Sequence, residues 1–107
     1  MLSTRCVRIK LRAGSLPEVK AWAEELNRRK NEVMDTLHAE GVTLESVFLL
    51  TDGGEHSLIY VMRADDFEMA AEAAKRSVAD IDDYHKRFKK SCWVGYDPLD
   101  VLVDFSV

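Results

Sequence analysis

Residues 43–63, TLESVFLLTDGGEHSLIYVMR, decide the fold. Two runs of β-branched, aromatic and aliphatic residues lie on either side of Asp52-Gly53-Gly54. The two glycines adopt the positive φ angles of a tight hairpin connection without steric cost. This pattern predicts a β-hairpin, with one strand before the turn and one after it.

One further strand is predicted near each end of the chain. Thr4–Arg12 alternates apolar residues with charged residues or cysteine, the period of two that is typical of a half-buried strand. Leu99–Phe105 alternates in the same way, and it follows Gly95 and Pro98, which are expected to interrupt regular structure.

Helical patterns fill the two connections. Ser15 and Gly41 bound a segment whose apolar residues recur at spacings of three, four and seven, which predicts one helix of about 25 residues. A second helix is predicted to begin at Asp65-Asp66, and a third helical segment at Asp80, because acidic residues favour the first turn of a helix.

The predicted order is β-α-β-β-α-(α)-β. This order indicates an α+β fold in a single domain, residues 1–107: a ferredoxin-like βαββαβ sandwich with an extra helical segment before the last strand. The helices would cover one face of the sheet only. The other face would be partly apolar, so we expect a second copy to pack against it, sheet to sheet, as a homodimer.

Composition narrows the classes of partner. The net charge is −4, which argues against a nucleic-acid-binding protein, since phosphate contacts require a basic surface. No apolar run approaches the length of a transmembrane helix, and no secretory signal is recognisable at the N-terminus. Cys6 and Cys92 are far apart and are expected to be reduced thiols. We therefore expect a cytoplasmic protein without membrane or nucleic-acid partners.

The chain resembles the dimeric α/β-barrel group and, within it, the bacterial family of unknown function DUF6176. The resemblance rests on five segments spread over nearly the whole chain: residues 6–11, 22–29, 45–49, 58–66 and 81–88. It implies a ferredoxin-like subunit and a sheet-to-sheet dimer. The wider group includes cofactor-independent monooxygenases, haem-degrading enzymes and chlorite dismutase-like proteins, but a shared fold does not assign a reaction.

His85 is the candidate catalytic residue. It lies on the apolar side of its predicted helix, where an imidazole is able to act as acid or base, and Asp82 three residues earlier is a candidate to orient it. The alternative is a partly buried structural histidine. No metal site is predicted, because His38, His56 and His85 lack neighbours at ligand spacing. No cofactor is predicted either.

The candidate ligand-binding residues form two sets. The polar set would hold a carboxylate or an enolate, because arginine binds carboxylate with two parallel hydrogen bonds; it comprises Tyr60, Arg63 and Arg8. The aromatic set would wall an apolar pocket; it comprises Trp22, Phe48, Tyr84, Phe88 and Trp93. The alternatives are salt bridges for the arginines and ordinary core packing for the aromatic residues.

Three functions are compatible with these residues. The first is binding of a small amphipathic ligand, such as a fatty-acid-like carboxylate or another apolar carbonyl compound, between sheet and helices. The second is a cofactor-independent oxygenase or isomerase with His85 as general base. The third is a structural or regulatory dimer without a ligand.

Overall fold

A computed structural model describes residues 1–107 and contains four strands and four helices. In chain order the elements are β1 Ser3–Leu11, α1 Leu16–Arg28, α2 Lys30–Glu40, β2 Val42–Asp52, β3 Glu55–Ala64, α3 Phe67–Arg76, α4 Asp80–Cys92 and β4 Trp93–Leu99.

The strands form one antiparallel sheet in the order β2-β3-β1-β4. The predicted hairpin is confirmed: β2 and β3 pair directly, and Gly53 and Gly54 between them have φ angles of 57° and 88°. Strand β1 then pairs with both β3 and β4, so it lies in the interior of the sheet, and β2 and β4 form the edges.

The prediction of one long helix before the hairpin is wrong. The chain leaves helical geometry at Arg29 (φ −105°, ψ 35°), which separates α1 from α2. Each helix packs on a different core cluster: Leu26 of α1 packs against the larger cluster around Ile9, and Leu37 of α2 packs against a smaller cluster around Ala64. The break at Arg29 allows the two helices to follow these separate surfaces. Gly41 ends α2 in the left-handed conformation, as predicted.

The prediction for the last strand is also wrong. Strand β4 runs over Trp93–Leu99, and residues 100–107 form no regular element. Gly95 and Pro98 were expected to break the chain, yet both lie within β4. An edge strand tolerates proline because one side of its backbone has no pairing partner. The presence of glycine at position 95 has a steric reason, since an added Cβ there would stand 3.0 Å from the Cβ of Lys10.

The α+β class is therefore confirmed, with a four-stranded antiparallel sheet and four helices. The order differs from the predicted β-α-β-β-α-(α)-β in the first crossover, which contains two helices, α1 and α2, instead of one. The extra helical segment predicted before the last strand is present as α4.

The helices cover only one of the two faces of the sheet. One face is buried beneath the helices, and its central residues Val7, Ile9, Leu58 and Tyr60 are at most 8% exposed. The opposite face, which we call the open face, carries Leu44, Phe48, Leu50 and Leu99 at exposures of 38–59%. Nothing in the chain covers these four side chains, which bears on how the protein assembles.

No helix is both long enough and apolar enough to cross a membrane.

Candidate functional site

A cavity of about 700 Å³ lies between the covered face of the sheet and the helices. Its lining is mostly apolar, 22 of 33 residues, and it includes both tryptophans of the chain, Trp22 and Trp93. A volume of this size suits a small organic molecule. The polar groups that border the cavity are therefore the candidate functional groups.

Tyr60 projects from the centre of β3 towards the cavity. The side chain is only 4% exposed, and its hydroxyl is buried without any hydrogen-bond partner. Burial raises the pKa of this phenol, and the negative charge of Glu45 raises it further. The hydroxyl thus keeps its proton, and this unpaired O–H donor borders a largely apolar cavity.

His85 on α4 also borders the cavity and is held by Trp22 of α1. The indole Nε1–H of Trp22 donates a hydrogen bond to Nδ1 of His85 over 3.1 Å. Burial, followed by the positive charge of Lys89, lowers the pKa of His85 to about 4, so the imidazole is neutral near pH 7. A neutral imidazole that accepts at Nδ1 carries its proton on Nε2. His85 therefore offers a second donor, since Nε2 makes no hydrogen bond with the protein.

Trp93, at the start of β4, adds a third donor. Its indole Nε1–H is buried without a partner, and its ring stands edge-on to that of Tyr60 at 5.4 Å between centroids. The ammonium of Lys89 lies 5.2 Å from the centroid of the same indole. Two unsatisfied buried donors so close together favour a ligand that presents an oxygen acceptor.

Glu45 is a cavity residue that sequence reasoning missed. Strand β2 contains a bulge, in which Val42 pairs with Ala64 and Leu44 with Arg63 while Thr43 has no partner. The extra residue reverses the alternation, so Val42 and Glu45 both turn to the covered face. From Glu45 to the turn the alternation is regular: Glu45 pairs with Met62 and Val47 with Tyr60, so Glu45 lies on the side of Tyr60. The signal that could have found it is this period of two counted back from the hairpin turn.

The carboxyl of Glu45 is poorly solvated and forms neither a hydrogen bond nor a salt bridge. Burial raises its pKa; the ammonium of Lys89 opposes that rise, and the charge of Asp82 adds to it. Glu40, at the end of α2, borders the same space, and its pKa is raised to about 7 by burial and by the charges of Asp82 and Glu45. The cavity thus contains carboxyl groups with weakened acidity beside neutral hydrogen-bond donors.

Asp82 borders the cavity but does not contact His85 through a hydrogen bond. Its Oδ2 atom is buried and unpartnered, and the Nδ1 position of His85 is already taken by Trp22. In this structure the residue that orients the imidazole is therefore Trp22, not the predicted Asp82.

The aromatic set is divided between cavity and core. Trp22 and Trp93 line the cavity, whereas Phe88 stacks on the Trp22 ring at 4.3 Å and Tyr84 packs against the larger core cluster. Phe48 borders the cavity at edge strand β2, but its place in the alternation, opposite Ile59, puts its side chain on the open face.

The two predicted arginines lie outside the cavity, because they alternate to the open face. Arg8 donates to the Ser57 hydroxyl at 3.4 Å. Arg63 donates to Thr4 and forms a salt bridge of 3.1 Å with Asp104 from the C-terminal segment. In this structure both arginines serve contacts within the chain, which corresponds to the alternative that the sequence left open.

Other chemistries find little support among the remaining side chains. No group of three or more His, Cys, Asp or Glu side chains is placed to hold a metal ion. Both cysteines carry free thiols, as predicted. Cys92 is fully buried and donates to Glu18 at 3.3 Å, and burial raises the pKa of its thiol, so it is poorly suited to act as a nucleophile.

Comparison with known proteins extends this description. The family model "Family of unknown function (DUF6176)" matches residues 2–106. The chain belongs to the DUF6176 family. No curated protein matches it in sequence. Membership in DUF6176 confirms the family resemblance noted from the sequence and leaves the activity to be inferred from the site.

Solved structures resemble this DUF6176 member in fold. Atu4242 from Agrobacterium tumefaciens aligns with a TM-score of 0.59 and 13% identity, over 92% of this chain and 89% of that one. Rv0793 from Mycobacterium tuberculosis also aligns with a TM-score of 0.59, at 14% identity, over 99% and 100% of the two chains. The de novo designed protein Foldit4 aligns with a TM-score of 0.52 and 19% identity, over 92% and 99%. At these identities the likeness concerns the fold alone.

Proposed function

We propose that this protein binds a small, mostly apolar compound bearing a carbonyl or carboxylate oxygen, in the cavity between sheet and helices. The observation that carries the proposal is the Tyr60 hydroxyl, a buried donor without a partner at an apolar cavity. A buried polar group of this kind costs free energy unless something accepts its hydrogen bond. A ligand oxygen would accept it, and the Trp93 indole N–H and His85 Nε2–H offer further donors.

The charges around the cavity support an amphipathic ligand. The lysines that border it, Lys20, Lys30, Lys86 and Lys89, would attract an anionic end. A carboxylate placed beside Glu45 would instead be repelled. The ligand that best satisfies both the lysines and Glu45 has a neutral carbonyl near Tyr60, an apolar body along the tryptophans, and any negative charge near the lysines.

We further propose that the protein is a ferredoxin-like subunit that assembles as a twofold dimer through the open face, in the manner of dimeric α/β barrels. The strand order β2-β3-β1-β4 supports this classification. The exposed apolar side chains of the open face, with Phe48 at 59% exposure, support the pairing, because several large apolar side chains on one sheet face are normally covered.

The test combines native mass spectrometry with fluorescence titration. Native spectra of the purified protein should show a dimer, and denaturation should release any bound organic compound for identification. Since the only two tryptophans both line the cavity, intrinsic fluorescence reports on its occupancy. We expect 2-tetralone, an apolar ketone, to change this fluorescence saturably, and Tyr60→Phe to bind it about tenfold more weakly because one hydrogen bond is lost.

Three results would count against these proposals. A stable monomer would contradict the pairing of open faces. Failure of apolar ketones and of medium-chain carboxylates alike to change the fluorescence would contradict the binding function and favour a structural or regulatory dimer without a ligand. Equal affinities of wild type and Tyr60→Phe would show that the Tyr60 hydroxyl is not the group that binds the oxygen.

A further inference from the structure

The cavity pairs a carboxyl group with hydrogen-bond donors in a largely apolar setting. Glu45 has neither a hydrogen-bond nor a salt-bridge partner, and it is close enough to Tyr60 for its charge to act on the phenol. Tyr60 gives the independent indication that a ligand oxygen binds here, because its side chain is only 4% exposed and its hydroxyl has no hydrogen-bond partner. A base beside a donor that stabilises an oxyanion is the arrangement required to remove a proton from the carbon next to a carbonyl.

His85 is less suited to be the base. Its Nδ1 lone pair is occupied by the Trp22 N–H, and its other nitrogen bears the proton in the neutral form. Both nitrogens are therefore unable to accept a proton from a substrate without a change of tautomer. The same geometry makes Nε2–H a good donor to a carbonyl oxygen, so the Trp22 hydrogen bond assigns His85 a stabilising role and leaves the basic role to a carboxylate.

We propose that Glu45 is the proton-transfer base of this cavity and that Tyr60 and His85 hold the carbonyl oxygen, so that the protein enolises an apolar carbonyl compound. This inference rests on the proposed binding function and specifies its substrate class. The compound carries at least one hydrogen on the carbon beside its carbonyl, and the bulk of it is apolar.

The chemical step is balanced without any further reactant. The Glu45 carboxylate takes the proton as the C–H bond breaks, and the pair of electrons from that bond forms a carbon–carbon double bond. The π electrons of the carbonyl move to its oxygen, where Tyr60 O–H and His85 Nε2–H donate hydrogen bonds to the enolate. The Glu45 carboxylic acid then returns the proton, either to the same carbon or, in a conjugated substrate, to another carbon, which makes the net reaction an isomerisation.

Burial serves this step in two ways. It raises the pKa of Glu45, which makes the carboxylate a stronger base than it would be in water. It also keeps Tyr60 protonated, so the phenol remains a donor throughout. Glu40 borders the same cavity, and burial raises its pKa to about 7, so its charge varies near neutral pH. The experiment is therefore best done at pH 8, above the pKa of Glu40.

The experiment measures hydrogen–deuterium exchange at the α-carbon of 2-tetralone in D₂O by ¹H NMR, with binding measured separately by tryptophan fluorescence. Wild type should speed the exchange at least a hundredfold over buffer. Glu45→Gln should bind 2-tetralone within a few-fold of wild type and lose nearly all of this acceleration. The matched control is Glu24→Gln, an exposed glutamate of α1 outside the cavity, which should exchange like wild type.

His85→Gln decides between the two candidate bases. Glutamine is able to accept from Trp22 and to donate to a carbonyl, so exchange should fall by about tenfold or less if His85 is a donor. Loss of exchange in His85→Gln with exchange retained in Glu45→Gln would overturn the proposal and make His85 the base. Binding of 2-tetralone by wild type without accelerated exchange would overturn the enolisation while leaving the binding function intact. Absence of binding would overturn both.

Discussion

Trp22 and His85 are joined across two helices by a single hydrogen bond of 3.1 Å, and their rings lie 5.7 Å apart. The bond ties α1 to α4 on one side of the cavity. It also fixes which nitrogen of the imidazole carries the proton, so Trp22 determines what His85 offers to the ligand.

Trp22→Phe should release the imidazole from this constraint. In wild type, ¹⁵N-edited NMR of His85 at pH 7 should show an unprotonated Nδ1 and a protonated Nε2. In Trp22→Phe both tautomers should appear, because no donor holds Nδ1. We also expect a loss of about 1–3 kcal/mol in the free energy of unfolding, from the lost hydrogen bond. An unchanged ¹⁵N spectrum would show that another group fixes the tautomer.

His85 should make the protein less stable in acid. Its pKa is about 4 in the folded state against an ordinary value of 6.5, so the unfolded chain binds the proton more readily and stability falls as the pH drops from about 6.5 to 4. The loss should reach about 3 kcal/mol, at 1.36 kcal/mol per pKa unit. Urea denaturation of wild type and His85→Gln at several pH values measures it. Parallel curves for the two proteins would contradict this prediction.

Glu40 should have the opposite pH dependence. Burial and the charges of Asp82 and Glu45 raise its pKa from 4.5 to about 7, so its contribution to stability is complete below pH 4.5 and is lost as the pH rises through 7. Glu40→Gln should therefore melt a few degrees higher than wild type at pH 8 and at about the same temperature at pH 4.5. A gain that is equal at both pH values would contradict the titration of Glu40 and assign the effect to the packing of the amide. Differential scanning calorimetry with Glu24→Gln as the control measures both.

Phe48→Lys should weaken the proposed dimer. A charge at this position of the open face would be buried without a partner in the assembly, which should raise the dimer dissociation constant at least a hundredfold. Analytical ultracentrifugation measures the constant. Met69→Lys, an equally exposed apolar residue on α3 (68% exposed, against 59% for Phe48), is the matched control and should remain dimeric. Equal constants for the two variants would place the interface elsewhere.

The hairpin, the first strand and the starts of the later helices were predictable, because local residues determine them. Gly53 and Gly54 specify the turn, and Asp66 caps α3 by accepting from the backbone N–H groups of Glu68 and Met69. The last strand was misplaced because Pro98 interrupts a central strand but is tolerated at an edge, and sequence alone did not reveal that β4 is an edge. The break at Arg29 depends on the two separate core clusters, which are tertiary features.

The candidate site was predicted in part. Tyr60, His85, Trp22 and Trp93 do border one cavity. Tyr60, His85 and Trp22 follow a helical or strand period whose apolar side was recognisable, whereas Trp93 starts the strand that was misplaced. The side on which the arginines lie was left open, since an isolated strand does not show which of its faces the helices cover. Glu45 was missed for the same reason, although the hairpin register places it opposite Met62, on the side of Tyr60.

The bulge at Thr43 has a consequence for how such a protein changes over time. Strand β2 is apolar on both sides, with Leu44, Phe48 and Leu50 on one and Val47 and Leu49 on the other, so hydrophobicity barely chooses between them. From Glu45 to the turn the hairpin register makes the choice, whereas the surplus residue decides only which way Val42 faces. Deletion of one codon near Thr43 would leave the carboxylate in its chamber and turn Val42 away from the smaller core cluster. Changes of length at this position would therefore alter how α2 docks on the sheet and spare the chemistry of the cavity.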